Sequence, residues 1–102
     1  MAKTGIEIIA EERQRQIEKD GWSPEHDDEH KDYELSKAAQ QYTHTAILVG
    51  KGFKLNRRGI PVPYGWPWNR EWWKPSEDPI RNLAKAGALI AAEIDRLQRK
   101  NG

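Results

Sequence analysis

The chain contains no cysteine, one methionine and one phenylalanine. Without thiols there is no disulfide framework and no thiolate metal site, and a reducing cytoplasmic setting is the expectation. Apolar residues make up only 36% of the sequence against 32% charged, so the core is small for the length. No run reaches the length of a membrane span, and the N-terminus lacks a signal peptide's apolar segment, so no membrane partner is expected. A net charge of +1 supplies no overall field toward a polyanion, and no nucleic-acid partner is expected. There is no glycine-rich phosphate loop, no nucleophile elbow and no HExxH motif. One domain over 1–102 fits this length, with marginal stability. A second subunit or a bound ligand would add to it, and a homo-oligomer is the expectation.

Tryptophan is abundant instead. There are five in 102 residues, four of them between Trp66 and Trp73. Four of the six prolines (Pro61, Pro63, Pro67 and Pro75) lie in the same region, between Lys51 and Glu77. This stretch has no helical period, and a loop of that length is functional or ordered by its own side chains. Each buried indole removes roughly 150–250 Å² from water, which suffices for the ordering. Within it, Phe53–Leu55 could pair with Ile60–Val62 as a short edge hairpin.

Three segments read as helices. The first spans about 4–19, where Thr4 and Glu7 match a capping box and Asp20-Gly21 is a stop signal. Ile6, Ile9, Ala10, Arg13 and Ile17 share one face. Arg13 interrupts that face, so it either snorkels or reaches a buried anion. The connector Trp22–His30 holds Pro24 and clustered charges, which argue against a helix before Asp27. The second helix covers about 32–49 with a stripe of Leu35, Ala38, Ala39, Tyr42, Ala46 and Val49. The third covers about 78–99, capped by Asp78 with Pro79 in its first turn. Ile80, Leu83, Gly87, Ile90, Ile94 and Leu97 line one face of it at alternating spacings of three and four. Between Leu83 and Ile94 only Lys85 and Glu93 are charged, so it is apolar nearly all round and reads as the element the others cover. Gly87 reads as a point of close backbone approach. The fold class is all-α: three helices, with a Trp/Pro-rich crossover over 50–77 folded across one end.

Three sets of residues could carry chemistry. Glu25, His26, Asp27, Asp28, Glu29 and His30 offer oxygen and imidazole ligands for a divalent metal, or serve as a capped, solvated connector. Glu34 flanks the second helix's stripe, and Glu93 lies in the least polar stretch of the chain. Glu93 needs a metal or an ion pair with Arg13, Arg96 or Lys85. The third set is basic and aromatic: Arg13, Trp22, Trp66, Arg70, Trp73, Lys74, Arg81 and Lys85. Cations pair with phosphates, and an indole face stacks on a base. Trp68 and Trp72 read as satellite core that the proline-rich loop packs on.

The run Glu11–Lys19, then Gly21-Trp22, then Glu25-His26-Asp27-Asp28 resembles the opening of small phage and prophage proteins. Those also carry a short ELxxAAxxY helix, a WPW…WWKP segment and a closing RNLxKAGALIxAEIxRL helix. Here the pieces are Glu34-Leu35 through Tyr42, Trp66-Pro67-Trp68 with Trp72-Trp73-Lys74-Pro75, and Arg81 through Leu97. The resemblance spans about four fifths of the chain. More distantly the chain is similar to phage MazG-like proteins, which are all-α, usually oligomeric, Mg-dependent nucleoside triphosphate pyrophosphohydrolases. Their EExxE position reads Tyr33-Glu34-Leu35-Ser36-Lys37 here and keeps one acid of three. Their ExxD position reads Asn82-Leu83-Ala84-Lys85 and keeps none. Lys37 and Lys85 put cations where that family has acids, which suits direct binding of phosphate. Gly21-Trp22 and Asp27-Asp28 also resemble ryanodine-receptor-type domains.

Three readings result. The first is a phage-type nucleotide-binding protein that sequesters or senses a nucleotide signal without turnover, with an anti-defence role. The second is a Mg-dependent pyrophosphohydrolase with metal ligands Asp27, Asp28, Glu34 and Glu93. The third is a protein-docking module built on the Trp loop.

Overall fold

A computed structural model describes residues 2–55 and 62–101. The fold is all-α, and no strand occurs among the described residues. The helices are α1 (Gly5–Lys19), α2 (Pro24–Asp27), α3 (Glu34–Gly50) and α4 (Pro79–Asn101), with a 3-10 turn at Arg70–Trp72 before the last. Ile60 and Pro61, needed for the expected hairpin, lie outside the described residues; Phe53–Leu55 carry no regular structure.

The helix ends follow from local chemistry. The Thr4 hydroxyl accepts from the Glu7 N–H while the Glu7 carboxylate accepts from the Thr4 N–H, which completes the expected capping box of α1. Asp78 receives the Ile80 N–H at 2.9 Å and opens α4 as expected. The connector departs from the expectation. Ser23 caps a one-turn helix, with Pro24 at its first position, where no N–H is required. The clustered charges do not prevent it, because Asp27 is drawn inward and Asp28 pairs with Arg99. Tyr33 then takes a left-handed conformation at the start of α3 (φ 60°), and its ring lies against the Arg96 guanidinium.

α4 packs against α1, α2 and α3 and is the centre of the molecule. Its buried face is not the expected one. Ala84, Ala86, Ala88, Leu89 and Ala92 turn inward, whereas Ile80, Leu83, Ile90 and Ile94 face outward. The inner surface of α3 is equally fine-grained, with Leu35, Ala38, Ala39, Tyr42, Thr45 and Ala46 buried. Alanine surfaces allow two helices to approach closely, and interaxial distance depends on the side chains at the contact. The bulky isoleucines therefore stay outside. α1 also departs from its apolar stripe. Ile6 and Ala10 are exposed and the buried residues are Glu12 and Gln16, since α1 contributes ion pairs to the core rather than aliphatic bulk. Gly87 serves close approach by a side chain, not by backbone. A Cβ there would lie 2.5 Å from Ile9 Cδ1 and 2.8 Å from Ile9 Cγ1, so Ile9 occupies the space.

The Trp segment is held to α3 and α4 by polar contacts. The Asn82 side chain accepts from the Ser76 N–H and donates to the Ser76 carbonyl, each at 2.7 Å. The Tyr42 hydroxyl accepts from the Lys74 N–H, and Lys85 Nζ donates to the Lys74 carbonyl. A Cβ at Gly65 would meet the end of the Gln41 side chain, which would have to swing aside.

Candidate functional site

Ring contacts run without a break from the core to the surface. Trp73 and Trp66 both pack on Tyr42, with centroids 4.8 and 5.7 Å away. Trp66 meets Trp68 at 5.3 Å, and Trp68 meets both Trp22 and His30 at 5.4 and 5.1 Å. His26 stacks on Trp22 with an interplanar angle of 12° and touches His30 edge-on. The inner half of this series is core; the outer half lines an open cleft of about 490 Å³. Trp22, His26, His30, Trp68 and Trp72 form its walls, with Pro67 and Asn69. That volume lies within the range of about 300–1,000 Å³ found for small-molecule sites.

Each histidine is oriented from behind. His26 Nδ1 lies 3.4 Å from Asp27 Oδ1, and His30 Nδ1 lies 3.5 Å from Glu34 Oε2. Asp27 is 0% exposed and its other oxygen takes Arg13 Nη2 at 2.6 Å. Arg13 thus reaches a buried anion, and it also donates to the Trp22 carbonyl. Two cleft-lining residues carry buried polar atoms, His30 Nε2 and Trp68 Nε1, that have no hydrogen-bond partner among the described residues. Buried polar groups are nearly always paired, so these two are exceptions, as are Gln16 Oε1 and Trp73 Nε1.

A second, smaller hollow of about 30 Å³ adjoins the cleft and shares the walls Trp22 and Trp72. Arg15, Lys74 and Lys85 supply its cations, and Glu12 and Asp20 its anions. Arg81 pairs with Glu12 at 2.9 Å and offsets part of that negative charge. Glu12 also takes Arg15 at 2.7 Å, which holds the Arg15 guanidinium firmly in its charged form. Burial lowers the basicity of Lys85, and neighbouring Arg81 lowers it further. The Lys74 ammonium sits over the Trp72 ring, 5.7 Å from its centroid.

Burial pushes the Tyr42 hydroxyl up to about 12. The folded state therefore holds this proton more tightly than the unfolded chain, whose tyrosines ionise near 10. Stability supplied by neutral Tyr42 is fully present below about pH 10 and is lost as pH rises toward 12. Spectrophotometric titration is expected to show a late tyrosine step near pH 12. Tyr42→Phe is expected to remove that late step. A late step that persists in Tyr42→Phe would reject the assignment.

The structure sorts the residues singled out from sequence into separate places. Trp22 lines both the cleft and the hollow, and Lys74 and Lys85 line the hollow. Arg70 is exposed on the 3-10 turn. Trp66 and Trp73 belong to the core cluster, and Arg13 and Arg81 are engaged by Asp27 and Glu12. Trp68 packs against the core cluster as expected and also lines the cleft, whereas Trp72, expected to pack likewise, is 42% exposed and lines the cleft. His26 and His30 were read only as metal ligands or solvated side chains. Their spacing of four residues was the available sign that they share one wall.

The four carboxylates expected to hold Mg do not converge. Asp27 is taken by Arg13, and Asp28 by Arg99 at 2.7 Å. Glu34 accepts the Asp32 N–H and faces His30; Glu93 takes Arg96 at 2.6 Å together with Ser36. Among the described residues no group of three or more His, Asp or Glu is placed to hold a metal ion. A divalent cation held jointly by these four does not fit this arrangement.

Fold and site define an all-α protein with an aromatic–histidine cleft beside a charged hollow. No family model, curated protein or solved structure matches the chain. No helix among the described residues is long and apolar enough to cross a membrane.

Proposed function

We propose that the protein binds a nucleotide or nucleotide-derived signal and releases it unchanged. The observation that carries this reading is the shared wall: Trp22 and Trp72 border both the aromatic cleft and the cation-bearing hollow. A base stacked on an indole of the cleft has Lys74 and Lys85 near it for a phosphate, while Arg15 is held by Glu12 and Asp20. Stacking of this kind contributes roughly 1–3 kcal/mol per base, and cation–phosphate hydrogen bonds are among the stronger polar contacts. Binding without turnover is supported by the ion pairs that occupy Asp27, Asp28 and Glu93. In a phage-infected cell, such a protein would sequester a nucleotide signal of host defence.

Calorimetric titration with nucleoside triphosphates, cyclic dinucleotides and ADP-ribose derivatives, with and without Mg, tests the reading. One of these is expected to bind in the micromolar range without Mg and to be recovered intact by chromatography. Lys74→Glu is expected to weaken it at least tenfold. Recovery as monophosphate and pyrophosphate would replace this reading with the pyrophosphohydrolase, whose carboxylates would have to leave their present partners. If nothing binds, the exposed Tyr64 and Trp72 favour the third reading, a surface that docks another protein.

A further inference from the structure

We propose that the pocket between the segment after α2 and the last turns of α4 is a second ligand site, and that it takes the phosphate of a small phosphorylated anion. The pocket has a volume of about 380 Å³ and is bordered by Asp28, Lys31, Arg96, Arg99 and Lys100. That is the lower end of the range of about 300–1,000 Å³ for small-molecule sites. None of these residues lines the aromatic cleft or the charged hollow, so the site stands apart from the nucleotide reading.

Arg96 distinguishes this pocket from a patch of surface cations. Its side chain is only 4% exposed, yet it borders the pocket. It is held from behind. Ser36 donates its N–H and its hydroxyl to one oxygen of Glu93, at 3.1 and 2.9 Å, and the other oxygen takes Arg96 Nε at 2.6 Å. The Tyr33 ring lies against the guanidinium, 5.6 Å from its centroid. A guanidinium carries five N–H donors, and leaving buried donors unpaired is costly. Among the described residues the bond to Glu93 is the one hydrogen bond that the Arg96 side chain makes. Its two Nη groups therefore remain for an anion. A guanidinium fixed in one orientation suits two parallel hydrogen bonds to a phosphate.

The remaining charges fit the same ligand. Arg99 and Lys100 stand in the last turn of α4, where the helix dipole favours cations whatever else is near. Arg96 lies a turn earlier and Lys31 belongs to another segment, so the dipole does not explain why all four meet at one pocket. Arg96 is neutralised by Glu93 and Arg99 by Asp28. Lys31 and Lys100 are left over, both exposed, and supply two positive charges. A phosphate monoester carries roughly −1.5 to −2 at neutral pH and matches that excess, whereas a single carboxylate does not.

Inorganic phosphate and pyrophosphate are the probes, titrated into the full chain and followed by proton–nitrogen correlation spectra that include the arginine Nε–H signals. Saturable shifts are expected at residues 28–31 and 96–100 and at the Arg96 Nε–H, and are expected to persist at physiological salt, about 0.15 M. Lys31→Glu with Lys100→Glu is expected to weaken pyrophosphate roughly tenfold with circular dichroism unchanged, since both positions are exposed. Lys74→Glu, in the hollow, is expected to leave this binding unaltered. Arg96→Lys keeps the charge but removes the fork, and is expected to weaken pyrophosphate by a similar factor. The absence of saturable shifts, or shifts confined to the surroundings of Lys74 and Lys85, would overturn the proposal. So would binding that vanishes at physiological salt or is indifferent to Arg96→Lys, because a diffuse field of surface cations would then suffice.

Discussion

Asp27→Ala is expected to lower folding stability by about 3–5 kcal/mol, the range seen when one partner of a buried ion pair is removed. Asp27 is fully buried, and its loss strands the Arg13 guanidinium, whose side chain is only 13% exposed. The consequence extends beyond the pair. Asp27 also orients His26, and Arg13 also holds the Trp22 carbonyl, so one carboxylate positions two walls of the cleft. Domains of this size have roughly 5–15 kcal/mol in total, so the variant is expected to melt near ambient temperature. Urea denaturation followed by circular dichroism measures the loss. Replacing both partners, with Arg13→Met and Asp27→Leu together, is expected to recover most of the stability, because neither charge is left unpaired. It is not expected to recover ligand binding, because His26 loses its orienting group. A loss below about 1 kcal/mol for Asp27→Ala would mean that water reaches Arg13 and that the pair is not the core of this region.

Neighbouring tryptophans are expected to behave oppositely. Trp73→Ala removes a buried ring that packs on Tyr42 and Trp66 and is expected to cost about 3–5 kcal/mol. Trp72→Ala removes a ring that is nearly half exposed, and its stability cost is expected to stay within about 1 kcal/mol. Binding reverses the order. Trp72 borders both the cleft and the hollow, so its loss is expected to weaken a bound nucleotide by roughly 1–3 kcal/mol. Thermal melts and calorimetry on the two variants separate the effects. Equal destabilisation by both would place Trp72 in the core and remove one wall from the proposed site.

The contrast between these adjacent residues shows how far sequence carries. The ends of α1 and α4 were legible because caps are local: Thr4 meets Glu7, and Asp78 meets Ile80, within three residues. The inner stripe of α3 was legible because it is apolar on one side only. The one-turn α2 was missed because Pro24 was counted with the charges against a helix, whereas proline fits a first turn and the charges find partners elsewhere. Of the cleft, Trp22 was legible as an aromatic beside a charged connector. Trp72 was not, because residues in a segment without a period carry no mark of which way they face.

By itself the sequence determined an all-α chain, the three long helices, the caps of the first and last, and a Trp segment ordered by its own rings; a buried anion was one of two options it left for Arg13. Tertiary structure alone decided which face of α4 is covered. An apolar helix has two candidate faces, and close approach by the alanines of α3 favours the finer one, leaving the isoleucines outside. It alone decided which carboxylate meets which cation. The Arg13–Asp27, Ser36–Glu93 and Asp28–Arg99 contacts join residues 14, 57 and 71 positions apart. Local propensity acts over a turn or two of helix, whereas pairs this distant are selected by packing and by the cost of leaving a charge without a partner.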